Sequence, residues 1–359
     1  MTTTMTTTTA KRIGLTSGCP AGVGLELLVT AIAVADDGVL PPSTSLTFFG
    51  SAALLLAGAR RARIDVVRDD DVVAIGRRRV RCVVADVDDP GRFTVAGRVD
   101  DGAVVAQRSS LVAAIAAADR GEIDAMVTAP VRKSALVIDG VHWPGQTELV
   151  HHTLHDDDGP PLMVFSGASF LLGLHTVHIA LRDVGPSIDD DVAAGIAAIT
   201  RSITQLAAAT RTLLGVARPT IAVLGVNPHA GEGGMFGFEE QRVLTPAITA
   251  INAAVGIDSP VDVVGPVPGD GFFADVARAR KKHVPVRAHA VLAMHHDQGL
   301  APYKLLVDGE GVNITWGVRV ARTSPDHGTA DAIAGQGIAD PSSTIAAIAA
   351  AVVLARAGT

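Results

Sequence analysis

Three histidines stand in segments able to present an imidazole to a ligand. His229 lies in the Gly-rich run Gly225–Gly234, directly after the apolar stretch Ile221–Leu224, and the glycines leave its ring room to reach a bound group. The same loop also fits a polar turn with a solvated imidazole. His296 belongs to Met294-His-His-Asp-Gln-Gly299, again just after a strand-like run. His178 sits within Leu174-His-Thr-Val-His-Ile-Ala-Leu181, where strand-like alternation sets it opposite Val177 and Ile179, the pattern of a core histidine. Converging neutral imidazoles suit Zn²⁺, Co²⁺ or another divalent ion with open positions for substrate. The long separations leave convergence open, and no HExxH string supplies a short-range signature.

Anion-binding chemistry comes next. Lys304 and Arg322 occur in polar, Gly-containing surroundings with Asn313 between them. Lysine offers a point charge and arginine a planar fork, two ways to hold a phosphate or carboxylate; each alone also fits a solvated surface charge. The run Ser17–Gly24 follows the first expected strand and precedes the apolar stretch Leu25–Val34, an order that suits an anion at a helix N-terminus. It lacks a clean dinucleotide fingerprint because Pro20 interrupts the glycines, and it lacks the Gly-Lys-Ser/Thr of a P-loop. Asp326 and His327 precede Ala330–Ala334, where an N-cap is expected.

Elements that position these residues alternate in type. Candidate strands are Arg12–Leu15, Ser45–Phe49, Ala125–Thr128, Phe170–His175, Thr220–Val226 and Ala290–Met294; Ala103–Arg120, Asp190–Ala209 and Leu244–Val255 have helical spacing. This alternation predicts an α/β fold with largely parallel sheets, and several strand ends run straight into Gly, Pro, His and Asn clusters, where ligands sit in such sheets. The expected division is a leader over residues 1–10, one domain over 11–130 plus 298–359, and a second over 131–297.

The 359 residues are 48% hydrophobic and only 3% aromatic, so Ala, Val, Leu and Ile must build the core. A net charge of −7 argues against a nucleic-acid sleeve or a polybasic membrane surface, but leaves room for a local basic pocket. Two cysteines fit neither a disulfide framework nor a Cys-rich zinc site, and suit the reducing cytoplasm. Ile345–Ala355 is too short to span a bilayer and is expected to be a core helix.

As a set, the motifs resemble the 4-hydroxythreonine-4-phosphate dehydrogenase family of vitamin B6 biosynthesis. The strings that carry the resemblance are PAGVG at 20–24, TAPVRK at 128–133, GQTE at 145–148, HTVHIAL at 175–181, NPHAGEGG at 227–234, GPVPGD at 265–270, HDQGLAPYK at 296–304, GVNIT at 311–315 and RTSPDHGTADAIAG at 322–335. The resemblance implies two α/β/α domains flanking an active-site cleft, in a homodimer. It implies His178, His229 and His296 as ligands of one divalent ion (Zn, Co, Mg or Mn). Lys304, Asn313 and Arg322 would hold the substrate phosphate, with Thr147 and Gln146 completing the pocket and Asp270 near substrate or cofactor. The implied reaction oxidises the secondary alcohol of 4-phosphohydroxy-L-threonine with NAD or NADP and decarboxylates the product to 3-amino-2-oxopropyl phosphate. Lys304 and a metal-bound hydroxide are the candidate bases.

Two positions depart from the family strings. Gln146 stands where the family has His in GHTE, and Cys19 where an acidic residue precedes PAG. Glutamine hydrogen-bonds but carries neither proton nor charge at neutral pH. The departures favour a paralogue acting on D-threonate or D-erythronate 4-phosphate as the alternative substrate class. A terephthalate cis-dihydrodiol, a non-catalytic sensor and a phosphate acyltransferase are weaker alternatives.

Overall fold

Strands buried on both faces require helices above and below them, and the chain supplies both in two units. The computed structural model describes residues 10–83, 95–155, 159–167, 169–254, 261–307 and 309–357. The expected leader through residue 9 and the acids at 156–158 lie outside the described residues. One unit is Met1–Asp156 with Val318–Thr359; the other is Asp157–Gly317.

In the first unit the strand order is Ala321–Pro325, Ala125–Val127, Arg12–Thr16, Ser45–Phe49, Arg78–Val83, Val72–Ile75 and Val66–Asp69. The first five run parallel and the last two turn back antiparallel. Ile13, Leu15, Met126 and Phe48 are fully buried, as a sheet covered on both faces demands. Helix Asp101–Asp119 starts where the Asp100 carboxylate accepts from the Ala103 amide at 2.8 Å, an N-cap contributing about 1 kcal/mol.

In the second unit the order is Asp262–Val267, Thr220–Leu224, Ala290–Ala293, Leu171–Leu174, Leu162–Ser166 and Val312–Trp316. The first four are parallel; the remaining pairings are antiparallel. Helix Val192–Leu214 is capped by Asp191 and ends at Gly215, whose φ of 66° is the left-handed closure that glycine adopts without a Cβ clash. Among the described residues this helix alone is long and apolar enough to cross a membrane, which the expectation from Ile345–Ala355 did not anticipate. It buries Ile199, Ile203, Leu206 and Ala209 within its own unit.

The expected α/β class is observed, with different domain limits. Division falls at 156/157 and 317/318 instead of 130/131 and 297/298. Residues 131–155 remain with the first unit because Leu136, Leu149, Val150 and Leu154 share a core with Leu111 and Ile115. Residues 298–317 join the second because Leu300, Tyr303 and Val307 pack with Phe165, Leu172 and Val291, and Val312–Trp316 pairs with Leu162–Ser166. Each Leu so buried contributes roughly 1.5–3 kcal/mol of transfer free energy.

Candidate active site

In the second unit, four adjacent parallel strands end next to the residues expected to do chemistry. Asp270 follows Asp262–Val267, His229 follows Thr220–Leu224, His296 follows Ala290–Ala293, and His178 follows Leu171–Leu174. Carboxyl ends of parallel strands are the usual ligand-binding edge of such sheets.

Backbone and side-chain bonds hold these endings together. Gln298 Nε2 donates to the Gly225 carbonyl at 2.6 Å, while its Oε1 accepts from the Met294 amide at 2.7 Å. Thr176 Oγ1 donates to the Met294 carbonyl at 2.7 Å. Gln298 thus joins the strand ends that precede His229 and His296, a role that sequence reasoning missed although the residue lies inside a quoted motif. Helix His296–Leu306 rests close against the sheet because Gly299 has no side chain: a Cβ there would meet Leu172 Cδ1 at 2.8 Å and Ala293 Cβ at 2.9 Å.

The rings of His178 and His296 stand 6.0 Å apart between centroids. Two imidazoles sharing one ion at about 2 Å per bond have centroids roughly 5–6 Å apart, so the pair suits a common cation. His296 Nδ1 lies 2.7 Å from Asp297 Oδ1, and His229 Nδ1 lies 3.1 Å from Glu232 Oε2. A carboxylate on Nδ1 leaves Nε2 as the ligating nitrogen, the usual arrangement behind a metal-bound histidine. The donor chemistry therefore fits a divalent ion. Among the described residues, however, no three His, Cys, Asp or Glu side chains are assembled to hold one. His229 is 62% exposed, on a turn in which His229, Ala230, Gly231, Glu232 and Gly233 all have left-handed backbone. Asn227 secures that turn by donating to Glu239 and to the buried Glu240.

His178 is exposed, contrary to the core position its alternation suggested, because the strand ends at Leu174 and residues 175–180 are irregular. The core histidine of this motif is His175. Its Nδ1 lies 3.0 Å from Ser202 Oγ, and burial pushes its pKa down to about 4, so it is neutral.

Asp270 is exposed in the first turn of helix Gly269–Lys281, where a carboxylate also complements the helix dipole. Lys304 is exposed on helix His296–Leu306, about 12 Å along the axis from His296. Asn313 lies on Val312–Trp316, and among the described residues its buried Oδ1 has no hydrogen-bond partner.

The first unit brings together three other expected residues. Arg322 is 3% exposed; its Nε donates to Thr128 Oγ1 at 2.8 Å and its Nη1 to Thr147 Oγ1 at 3.3 Å. Burial lowers its pKa to about 10, opposed by nearby Glu148, and leaves it charged at neutral pH. Gln146 starts helix Gln146–Leu154, with Nε2 donating to the Ala129 carbonyl at 3.2 Å. Its buried Oε1 has no partner among the described residues. A buried cation with hydroxyls around it, beside an unsatisfied amide oxygen, can receive an anionic, hydroxyl-bearing ligand. Thr128 was absent from the expected site; its place in TAPVRK was the available signal.

Two local expectations are corrected. Helix Gly24–Val34 does not present a free N-terminus: the Val23 amide donates to the Thr329 carbonyl at 2.9 Å, and Glu26 occupies the first turn. The segment after Asp326 and His327 forms one 3₁₀ turn, Asp331–Ile333, without a side-chain cap, because Ala330 at the cap position has no side-chain acceptor.

The profile of the pyridoxal phosphate biosynthetic protein PdxA family matches residues 43–351. The chain belongs to this family. A 4-hydroxythreonine-4-phosphate dehydrogenase of Burkholderia vietnamiensis is 37% identical to this PdxA-family protein over 357 residues, covering 98% of each chain. A Bradyrhizobium diazoefficiens protein carrying a D-threonate 4-phosphate dehydrogenase name is 35% identical over 352 residues, covering 95% of each. The crystal structure of a 4-hydroxythreonine-4-phosphate dehydrogenase from Burkholderia phymatum superposes with a TM-score of 0.71 at 32% identity, covering 96% of the PdxA-family chain and 98% of its own.

Proposed function

We propose that this PdxA-family protein is a cytoplasmic, homodimeric dehydrogenase that oxidises 4-phosphohydroxy-L-threonine with NAD or NADP, with decarboxylation to 3-amino-2-oxopropyl phosphate. The observation that carries the proposal is the pairing of His178 and His296 at 6.0 Å on the carboxyl edge of a parallel sheet, in a chain of this family.

A divalent ion held by His178, His229 and His296 would supply Lewis-acid polarisation of the substrate oxygen, and a nicotinamide would accept the hydride. The protein's own residues bind and orient. Within the first unit Arg322 neutralises the phosphate and Thr147 directs it by hydrogen bonds, and anchoring this remote end fixes the reacting carbon. Lys304, in the second unit, is the side chain offered as proton acceptor for the alcohol. The exposed Met235, Phe236 and Phe238 lie beside the His229 turn and supply apolar surface for a second copy of the chain.

A second reading has one observation behind it. Among the described residues the Gln146 acceptor oxygen has no partner, and an uncharged amide accommodates a hydroxyl as readily as an amine, as D-threonate or D-erythronate 4-phosphate would require. The test is reduced-nicotinamide formation by metal-reconstituted protein on 4-phosphohydroxy-L-threonine, the two acid-sugar phosphates and a terephthalate cis-dihydrodiol. Turnover selective for the amino acid supports the first reading. Selective turnover of an acid-sugar phosphate replaces it with the second, and inactivity on all four removes both.

A further inference from the structure

Four residues apart, His151 and His155 stand at the C-terminal end of helix Gln146–Leu154, outside every string that carries the family resemblance. Residues so spaced share one face of a helix, with Cβ atoms about 5–6 Å apart. Their ring centroids are 5.5 Å apart and the planes are inclined by 40°. That separation falls within the roughly 5–6 Å spanned by two imidazoles on one ion. His152, one residue on, is turned by about 100° around the helix axis, and its ring lies against Trp143 with centroids 5.1 Å apart.

The His155 ring is oriented by the helix itself. Its Nδ1 lies 3.1 Å from the His151 carbonyl oxygen and 3.2 Å from that of His152. A carbonyl only accepts, so Nδ1 carries the proton and Nε2 keeps the lone pair that a metal takes. A histidine that donates its other ring N–H to a backbone carbonyl has the usual support of a metal ligand. The backbone beneath is equally fixed. The His155 amide donates to the His151 carbonyl at 3.0 Å, the Arg319 amide donates to the Leu154 carbonyl at 2.8 Å, and Leu154 is wholly buried. His155 is exposed and His151 half-buried, so an ion reaches the pair from solvent.

We propose that His151 and His155 bind one transition-metal cation of the Cu²⁺, Ni²⁺, Zn²⁺ class, at a site that shares no ligand with His178, His229 and His296. Imidazole nitrogens suit these ions, whereas Mg²⁺ and Ca²⁺ take oxygen ligands. Among the described residues no third His, Cys, Asp or Glu joins the pair; water completes the coordination, and Cu²⁺ binds most tightly of the class. An ion bridging the two rings closes the last turn of a helix whose first turn carries Gln146 and Thr147. Because the bridge requires the folded helix, occupancy stabilises the chain by mass action.

The test uses the full-length chain carrying H178A and H296A, stripped with chelator, so that its outcome does not depend on the metal site proposed above. Cu²⁺ is titrated by calorimetry and followed by electron paramagnetic resonance. One tightly held Cu²⁺ with the hyperfine pattern of two imidazole nitrogens is expected. Adding H151A or H155A weakens it at least tenfold and erases the pattern, H152A leaves both intact, and excess Mg²⁺ does not compete. Cu²⁺ also quenches tryptophan fluorescence in this background, and W143F removes most of the quenching, a readout that leaves both histidines in place. Affinity unmoved by H151A and H155A, equal loss in H152A, displacement by Mg²⁺, quenching unchanged by W143F, or no binding at all overturns the site.

Discussion

Arg322 Nε donates to Thr128 Oγ1 at 2.8 Å, which joins strand Ala321–Pro325 to the start of TAPVRK, just past strand Ala125–Val127. Those strands pair in parallel with Arg322 opposite Met126, so the guanidinium is aimed by the sheet itself. Lysine cannot reproduce the two-hydroxyl contact, because its ammonium is a single point and guanidinium is a planar fork. R322K is expected to lower kcat/KM for a phosphorylated substrate by about 10²-fold, mostly through KM, as steady-state kinetics at varied substrate will show. An unchanged KM would remove Arg322 from the phosphate site.

His175 links the fold to pH. Burial depresses its pKa from 6.5 to about 4, so the unfolded chain binds more protons between those values. Stability is therefore complete above about pH 6.5 and falls as pH drops towards 4, by about 2–3 kcal/mol from this group. Chemical denaturation across pH 4–7 checks the slope, and H175Q should flatten it.

Gly299 sets how closely the His296 helix approaches the sheet. Valine there would drive branched carbons into Leu172 and Ala293, at an overpacking cost of about 1–3 kcal/mol. G299V should lower the thermal midpoint and weaken divalent-ion binding together. A lowered midpoint with intact ion affinity would show that the helix shifts without moving His296.

The His178–His296 pair predicts the outcome of metal titration. H178A and H296A should each reduce Zn²⁺ or Co²⁺ affinity by at least tenfold in calorimetry, and chelation should abolish turnover until the ion is restored. Wild-type affinity in either variant would dissociate the pair from a metal site.

Local patterning determined the α/β class and the position of most parallel strands. Runs such as Ser45–Phe49 and Ala290–Ala293 carry their β-branched or apolar residues within a few positions, and Asp100 and Asp191 cap helices through neighbours three residues away. The motif strings carried the family, since their residues are contiguous in the chain. Tertiary structure decided what depends on partners far along the sequence. Residues 131–155 belong to the first unit because Leu149 and Leu111 share one hydrophobic core, which no local pattern encodes. His178 and His175 share one alternating run, yet only the end of the strand at Leu174 and the approach of Ser202 make His175 the half-buried ring and His178 the exposed one. Burial, and with it the charge state of a histidine or the reach of an arginine, is set by neighbours brought together in space, and those neighbours exist only once the sheet has formed.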